Sequence, residues 1–310
     1  MAQNEQQVPK VSPEMFEVVG RSNNTDQLSK KQVSYWKEVF YRFSHNKLAV
    51  IGSILLVIIT LMAIFVPVFS SYTYDQNVGL YNSAPSGTFW FGTDDLARDL
   101  FVRAWEGARI SLFIGITAAV IDLIIGVLWG SIAGLSGGRV DNIMMRIADV
   151  LTAIPYLLVV IILLVIMEPG LVPMIIALSI TGWVNMARIV RSEVLKIKNQ
   201  EYVLAARTLG ANQWHIIKRH LIPNAMGAIL VTMTMTIPSA IFTESFLSYL
   251  GLGVQAPIAS WGTMASEGFK ALQSAPWRLL FPAALISITI FAFNAVGDGL
   301  RDALDPKLRK

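Results

Sequence analysis

Residues 48–70 read LAVIGSILLVIITLMAIFVPVFS, a stretch without a charged side chain. At a helical rise of about 1.5 Å per residue, about 20 apolar residues cross the hydrocarbon core of a bilayer. The sequence therefore predicts an all-α membrane protein in which residues 48–70 form the first of six transmembrane helices. The other five apolar runs lie at about 109–134, 147–167, 171–190, 224–246 and 279–299.

The composition agrees with a protein that lies in lipid. Of its 310 residues, 54% are hydrophobic and 15% are charged, whereas soluble domains carry about 25% charged residues. The chain has no cysteine and only three histidines, so neither a disulfide framework nor a metal cluster is expected. The net charge of +4 does not by itself indicate a nucleic-acid partner, because in a membrane protein the location of the charges decides their meaning.

Lysine and arginine are distributed unevenly over the loops. With the N-terminus in the cytoplasm, the inner segments hold twenty of these residues and the outer segments hold five, which accounts for all 25. The positive-inside rule therefore predicts that both termini are cytoplasmic. The predicted segments are a cytoplasmic tail over 1–47, an extracytoplasmic segment over 71–108, a membrane core over 109–299 with a cytoplasmic loop over 191–223 and an extracytoplasmic segment over 247–278, and a cytoplasmic tail over 300–310.

The cytoplasmic loop is longer than a turn between two spans requires. Residues 201–210 are predicted to form a short helix that ends at Gly210, and Asn212 is a suitable cap for a second helix over 213–221. Pro223 is expected to stop that second helix. The loop is thus predicted to form a helix–turn–helix at the membrane surface.

This loop resembles the EAA loop of ABC-importer permeases. Ala205, Ala206, Gly210 and Pro223 keep the family's spacing, although Leu204 replaces the expected glutamate and His220 replaces an isoleucine. In the family this element docks in a groove of an ATPase subunit. The residues expected to couple this chain to an ATPase are Ala205, Ala206, Gly210, Trp214, Ile217 and Pro223, with Trp214, Ile216 and Ile217 as apolar anchors. An amphipathic helix lying on anionic lipid is the alternative interpretation.

Three further motifs are similar to the oligopeptide, dipeptide and nickel permeases of this family. They are FGTDDLARDLFVR at 91–103, FLSYLGLGV at 246–254 followed by Ser-Trp-Gly at 260–262, and GDGLRDALDP at 297–306. The long polar tail is most like that of the oligopeptide permease C-type subunits. The resemblance implies the type I ABC importer permease fold and a multi-pass protein of the bacterial inner membrane that forms a translocation path for oligopeptides.

The resemblance also implies partners. These are a second permease subunit in a heterodimer, two ABC ATPase subunits, an extracytoplasmic substrate-binding protein and a peptide substrate. The chain contains no Gly-Lys pair and therefore no phosphate-binding loop, so it is expected to bind no cofactor while the partner subunits use ATP and Mg. Residues 135–138 imitate part of an ABC ATPase signature but are expected to form a turn between two spans.

Ionisable residues within the spans are candidates for functional sites. Asp122 is predicted to line the pathway or to contact the partner permease, whereas Asp149 and Glu244 are expected to reach an interface. Met233 and Met235 are candidates for a pliable pathway lining, although methionine also fills irregular gaps in a core.

The outer segments are rich in aromatic residues. Trp90, Trp105 and Trp261 are candidates for docking the substrate-binding protein, as the resemblance implies for these segments. An aromatic belt at the lipid headgroups is the alternative interpretation.

Several functional alternatives stay open at this point. The same motifs occur in permeases for dipeptides, nickel chelates and glutathione. An ion-coupled secondary transporter with Asp122 as the ion site is a second class, and it would show inverted repeats that are not apparent here. An intramembrane hydrolase is a remote third class, since no catalytic residues are predicted.

Overall fold

The computed structural model describes residues 35–255 and 257–305. The chain divides into two compact units, Met1–Glu38 and Val39–Lys310, and of the first unit only residues 35–38 are described. The predicted polar tail therefore lies largely outside the described residues, as do the last five residues of the chain.

The described residues are almost entirely helical, with two isolated β-bridges at Asn77–Arg98 and Thr93–Asp99. A short π-helical segment spans Ile217–Leu221. The helices are α1 (Tyr35–His45), α2 (Lys47–Phe69), α3 (Leu100–Ser136), α4 (Gly138–Ala153), α5 (Tyr156–Met167), α6 (Leu171–Ile197), α7 (Glu201–Thr208), α8 (Gln213–Ile216), α9 (Ile222–Tyr249), α10 (Trp261–Lys270) and α11 (Trp277–Leu304).

Five of these helices are long and apolar enough to cross a membrane, and the bent pair α4–α5 brings the number to six if it counts as one span. The predicted third span over 147–167 lies within this pair, and the chain bends by 80° between α4 and α5. The cause is Pro155, since the residue before a proline avoids the helical conformation and Ile154 is extended here. The apolar side chains of α5 remain largely exposed on the outside of the bundle, where lipid would cover them.

Helix α3 packs closely against α6 through a row of glycines. A β-carbon at Gly126 would lie 2.6 Å from Met186 Cβ, and one at Gly134 would lie 2.8 Å from a methyl group of Val194. Gly130 sits directly against the backbone of Ala187. The small-xxx-small pattern in α3 thus serves helix packing within this chain.

The bundle has two ends, which we call the basal and apical faces. The basal face bears the start of α2, the helices α7 and α8, and the end of α11; the apical face bears residues 70–99, 250–255 and 257–276. Gly299 in α11 touches Ala49 in α2, which places the start of α2 and the end of α11 on the same side of the bundle. Positive-inside charge predicts that the basal face is cytoplasmic, and this orientation stays a prediction.

Candidate functional site

The basal face carries a pair of short helices, α7 and α8, joined by a tight turn. The Asn212 side chain caps α8 by accepting a 2.7 Å hydrogen bond from the His215 N–H. Gly210 has a φ of 85°, a conformation that glycine adopts readily and that other residues adopt at a cost. The predicted helix–turn–helix is therefore present, with its cap and its glycine at the expected residues.

The side chains at the tip of this pair separate into exposed and buried sets. Leu209 is 88% exposed and Trp214 is 47% exposed. Ile216 and Ile217 are buried in a cluster with Val203, so neither is exposed as the predicted docking anchor would have to be. Leu209 is the apolar side chain that is exposed at the turn, although the sequence alone gave no reason to select it over its neighbours.

The rim of the pair is positively charged and concave. Lys218 Nζ lies 4.8 Å from the centroid of the Trp214 ring, a cation–π contact that orients the indole. A depression of 400 Å³ is lined by Asn212, Trp214, His215, Lys218 and Arg219. Its chemistry suits a partner surface with apolar and acidic groups.

The second helix of the pair continues directly into the membrane. Helix α8, the π-helical segment and α9 form one apolar helical unit from Gln213 to Tyr249, so the prediction that Pro223 stops the helix was wrong. Proline lacks an N–H and its ring clashes with the carbonyl four residues earlier, but it is tolerated in the first turn of a helix. Here the wider π turn directly precedes Ile222, and Pro223 occupies the first turn of α9.

Two ion pairs fix the neighbouring helices at this face. Arg191 of α6 binds Asp141 of α4 with two hydrogen bonds of 2.5 and 2.6 Å. Arg188 binds Asp149 at 2.9 Å, and Asp149 is exposed, as expected for a residue near an interface. The paired guanidinium groups tie α4 to the membrane helix that precedes the basal pair.

An open cavity of 510 Å³ lies beside α9, with the exposed Leu157 and Phe246 among its lining residues. Asp122 and Met235 line it, whereas Met233 packs against the hydrophobic cluster beneath the basal face. Met233 therefore does not line this cavity, because side chains two residues apart on a helix point to nearly opposite sides. A pathway-lining role for the two methionines stays a prediction. The lining residues are Ala118, Asp122, Tyr156, Leu157, Leu178, Thr181, Gly182, Asn185, Thr232, Met235, Thr236, Ser239, Ala240, Thr243 and Phe246.

The apical tryptophans are not equivalent. Trp90 is 62% exposed, as a docking residue requires. Trp105 and Trp261 are buried, and Trp261 donates a 2.8 Å hydrogen bond from Nε1 to the Ala104 carbonyl. Docking through these two side chains is therefore excluded in this conformation, because they form the contact between α10 and α3.

Charged groups organise the apical segment. The Asp94 carboxylate lies 2.7 Å from Arg98 Nε and 3.4 Å from Arg103 Nε, and all three side chains are buried. Asp99 caps α3 at the Phe101 N–H, and burial raises the pKa of its carboxyl while the backbone N–H bonds oppose that rise. The motif at 91–103 thus builds a folded apical platform rather than a loose loop.

The environment of Glu244 differs from the one that the sequence predicted. It was expected to reach an interface, but the structure buries it completely in α9. Its carboxylate accepts hydrogen bonds from Ser260 at 2.6 Å, Ser248 at 2.9 Å and Ser111 at 3.2 Å. Two of these serines, Ser111 and Ser260, lie outside α9, so the local pattern of α9 could not have revealed the burial of Glu244.

Comparison with known proteins places these features in a family. The sequence profile described as binding-protein-dependent transport system inner membrane component matches residues 126–310, which is more than half of the chain. The chain belongs to this family. A second profile, described as the N-terminal TM domain of oligopeptide transport permease C, matches residues 34–85. This member of the family is accordingly a multi-pass membrane protein.

The sequences of several relatives align with nearly the whole of this chain. The oligopeptide transport system permease protein OppC of Bacillus subtilis is 61% identical, with 98% of this chain and 100% of that protein covered. The dipeptide transport system permease protein DppC of the same organism is 53% identical, with 96% and 94% covered. The OppC protein of Escherichia coli is 41% identical, with 93% and 96% covered.

The fold also matches a solved transporter. A chain of the MetNI methionine ABC transporter, in an inward-facing conformation, aligns with a TM-score of 0.54 and 18% identity over 64% of this chain and 95% of that chain. At this identity the match shows the fold alone, which is that of a type I ABC importer permease. The family profile begins at Gly126 in α3 and so includes the basal pair, α9 and α11 of this permease.

Proposed function

We propose that this chain is the membrane-spanning subunit of an ATP-driven importer of oligopeptides. It forms the translocation path together with a second permease subunit. Two ATPase subunits bind at the basal face and hydrolyse ATP with Mg, and a substrate-binding protein delivers peptide at the apical face. The chain itself hydrolyses nothing.

The observation that supports this proposal best is the continuity of the helix from the basal pair to the cavity. The unit Gln213–Tyr249 has 37 residues and begins beside the exposed Trp214. At about 1.5 Å per residue it spans about 55 Å, and its middle lines the cavity through Thr232 and Thr236. A displacement of the basal pair by a docked ATPase is thereby passed directly to the wall of the cavity.

The shape of the basal pair favours a protein partner over a lipid surface. Leu209 projects from the turn at its most exposed point, and the depression beside Trp214 is concave. A helix that lies on lipid presents one continuous apolar face, whereas here Ile216 and Ile217 turn inward to the chain's own core. A protruding apolar residue beside a charged rim is typical of a protein interface.

The apical platform supports contact with a capture protein. Trp90 and Tyr81 are exposed on the segment that precedes α3, and the buried Asp94–Arg98 pair holds this segment in a fixed fold. Aromatic side chains on a rigid base are well suited to anchor a protein–protein contact.

The relatives divide between two substrates. One relative at 61% identity is named as an oligopeptide permease, and the relative at 53% identity is named as a dipeptide permease. We assign oligopeptides on the higher identity, and dipeptides are the second candidate. Uptake of labelled tetrapeptide and dipeptide by the reconstituted transporter distinguishes the two.

An ion-coupled transporter is the other class of function that the buried Asp122 could serve. The test is uptake of a labelled tetrapeptide into proteoliposomes that contain this chain, its partner permease, both ATPases and the binding protein. The proposal predicts uptake that requires ATP and survives the dissipation of ion gradients by ionophores. Uptake that needs a gradient and proceeds without ATP would overturn it.

A further inference from the structure

Two buried polar atoms beside the cavity have no hydrogen-bond partner among the residues that the structure describes. They are Asp122 Oδ1 and the Tyr156 hydroxyl, and both residues line the cavity. Asp122 is only 3% exposed. Since a buried polar atom without a partner is costly, a group that satisfies these two atoms would bind here with a gain in free energy.

The chain holds the Asp122 carboxylate against a neighbouring helix. Gly182 of α6 lies so close to Asp122 Oδ2 that a β-carbon at residue 182 would overlap it. No salt bridge to Asp122 is present among the described residues, and none of the side chains that line the cavity is basic. An uncompensated carboxylate is therefore fixed at the wall of the cavity.

The wall formed by α9 is rich in hydrogen-bond acceptors. Each of its four hydroxyl groups donates to a carbonyl one turn earlier in the same helix, at distances of 2.7 to 3.0 Å. Each hydroxyl oxygen therefore retains only acceptor lone pairs for the cavity. The four residues are Thr232, Thr236, Ser239 and Thr243, whose spacing places them on one face of the helix.

A cavity with one carboxylate, a row of acceptors and no basic side chain selects a ligand that carries positive charge and several N–H donors. An ammonium group has three donors and one positive charge. We propose that Asp122 and the hydroxyl row of α9 form a binding site for an ammonium group of the peptide in transit, either its N-terminus or a lysine side chain. This inference rests on the proposed peptide-import function.

In the detergent-solubilised transporter, peptides and a labelling reagent reach the cavity directly. The test therefore does not depend on the binding protein. The chain has no cysteine, so Ser239→Cys introduces the only thiol of this subunit into the hydroxyl row. The complete transporter, with cysteine-free partner subunits, is labelled in detergent with a maleimide while peptides compete at the cavity. Tyr81→Cys, on the apical segment and outside the cavity, is the matched control, and no peptide is expected to slow its labelling.

The ammonium site predicts that free trialanine slows labelling of Ser239→Cys by about tenfold, which corresponds to about 1.4 kcal/mol. N-acetyl-trialanine has no ammonium group and is expected to give no protection. An N-acetylated tripeptide with a central lysine protects only if the site also accepts a side-chain ammonium. In the Asp122→Asn background every ammonium-dependent protection is expected to disappear.

Other outcomes would overturn the site. Equal protection by N-acetylated and free trialanine, persistence of protection in Asp122→Asn, or protection by sodium ions alone would each contradict an ammonium site. Loss of the partner permease from the Asp122→Asn complex would show that Asp122 pairs with that subunit instead. ATP-driven uptake of peptide is measured after the same protein is reconstituted into proteoliposomes. The ammonium site can therefore fail while the proposed function stands, and the proposed function can fail while the ammonium site stands.

Discussion

The Ser260 hydroxyl donates a 2.6 Å hydrogen bond to the Glu244 carboxylate at a point where both residues are fully buried. Ser260 also caps α10 through the Thr263 N–H, and Ser111 of α3 accepts a hydrogen bond from the Trp261 N–H. One carboxylate thus joins α3, α9 and the start of α10. Helix α9, which lines the cavity, is thereby connected to the apical platform.

Replacement of Glu244 tests this junction. Glu244→Ala leaves three serine hydroxyls without their acceptor, at a cost of about 1–3 kcal/mol for each that stays unsatisfied. We expect a clear fall in the thermal unfolding temperature of the purified transporter, whereas Glu244→Gln retains an acceptor and is expected to lose less. An alanine variant as stable as the glutamine variant would show that the network contributes little.

The close contact between α3 and α6 gives a second prediction. Gly130→Val places a branched side chain against the Ala187 carbonyl and the Val190 side chain, so we expect the two helices to separate and the folded subunit to be lost from membranes. Gly87→Val is the matched control, because a β-carbon at Gly87 meets no atom within 4 Å. The amount of folded subunit is measured for both variants by immunodetection after mild detergent extraction. Equal amounts of the Gly130→Val and Gly87→Val subunits would contradict the packing argument.

The membrane helices were predictable because, in a protein of this composition, a long apolar run has few structures open to it other than a membrane-spanning helix. The bend between α4 and α5 was harder to place, although Pro155 marks the residue where it occurs. The burial of Trp105 and Trp261 was not predictable, because an aromatic residue in an outer segment suits lipid, a partner or a core equally well. Only the fold of the apical segment decides among these environments.

Gly182 gives a prediction about the cavity rather than about stability. Gly182→Ala introduces a methyl group into the space of the Asp122 carboxylate, and the end of that side chain can rotate away instead of unfolding the helix. We expect an unchanged unfolding temperature together with a loss of ammonium-dependent protection at Ser239→Cys. Gly227→Ala is the control, since its nearest neighbour lies 3.6 Å away. Full protection in Gly182→Ala would show that the position of the carboxylate is unimportant.

The turn of the basal pair gives a prediction about coupling. Valine is strained at the positive φ of Gly210, whereas asparagine tolerates this conformation, and both side chains have open space. We expect Gly210→Val to insert normally but to lose peptide-stimulated ATP hydrolysis and uptake, and Gly210→Asn to retain most of both. Normal uptake by the valine variant would refute the role of this turn.

The basal pair also shows where sequence reasoning ends. The cap at Asn212 and the turn at Gly210 follow from local chemistry, and the structure confirms both. Which apolar residue points outward depends on how the pair packs on the bundle, so Ile217 was chosen where Leu209 is exposed. The π-helical segment before Pro223 adds a wider turn, which changes the direction in which the following side chains of the helix point. No pattern in the sequence predicts this segment.

The central claim is that an ATPase subunit binds at the tip of the basal pair, and a cysteine crosslink tests it most directly. Leu209→Cys is introduced as the only thiol of this subunit, and Tyr81→Cys on the apical face is the control. During ATP-driven uptake in proteoliposomes, a short bifunctional thiol reagent is expected to join Leu209→Cys, and not Tyr81→Cys, to an ATPase subunit with a cysteine in its surface groove. Absence of that crosslink in a transporter that is importing peptide would contradict the account.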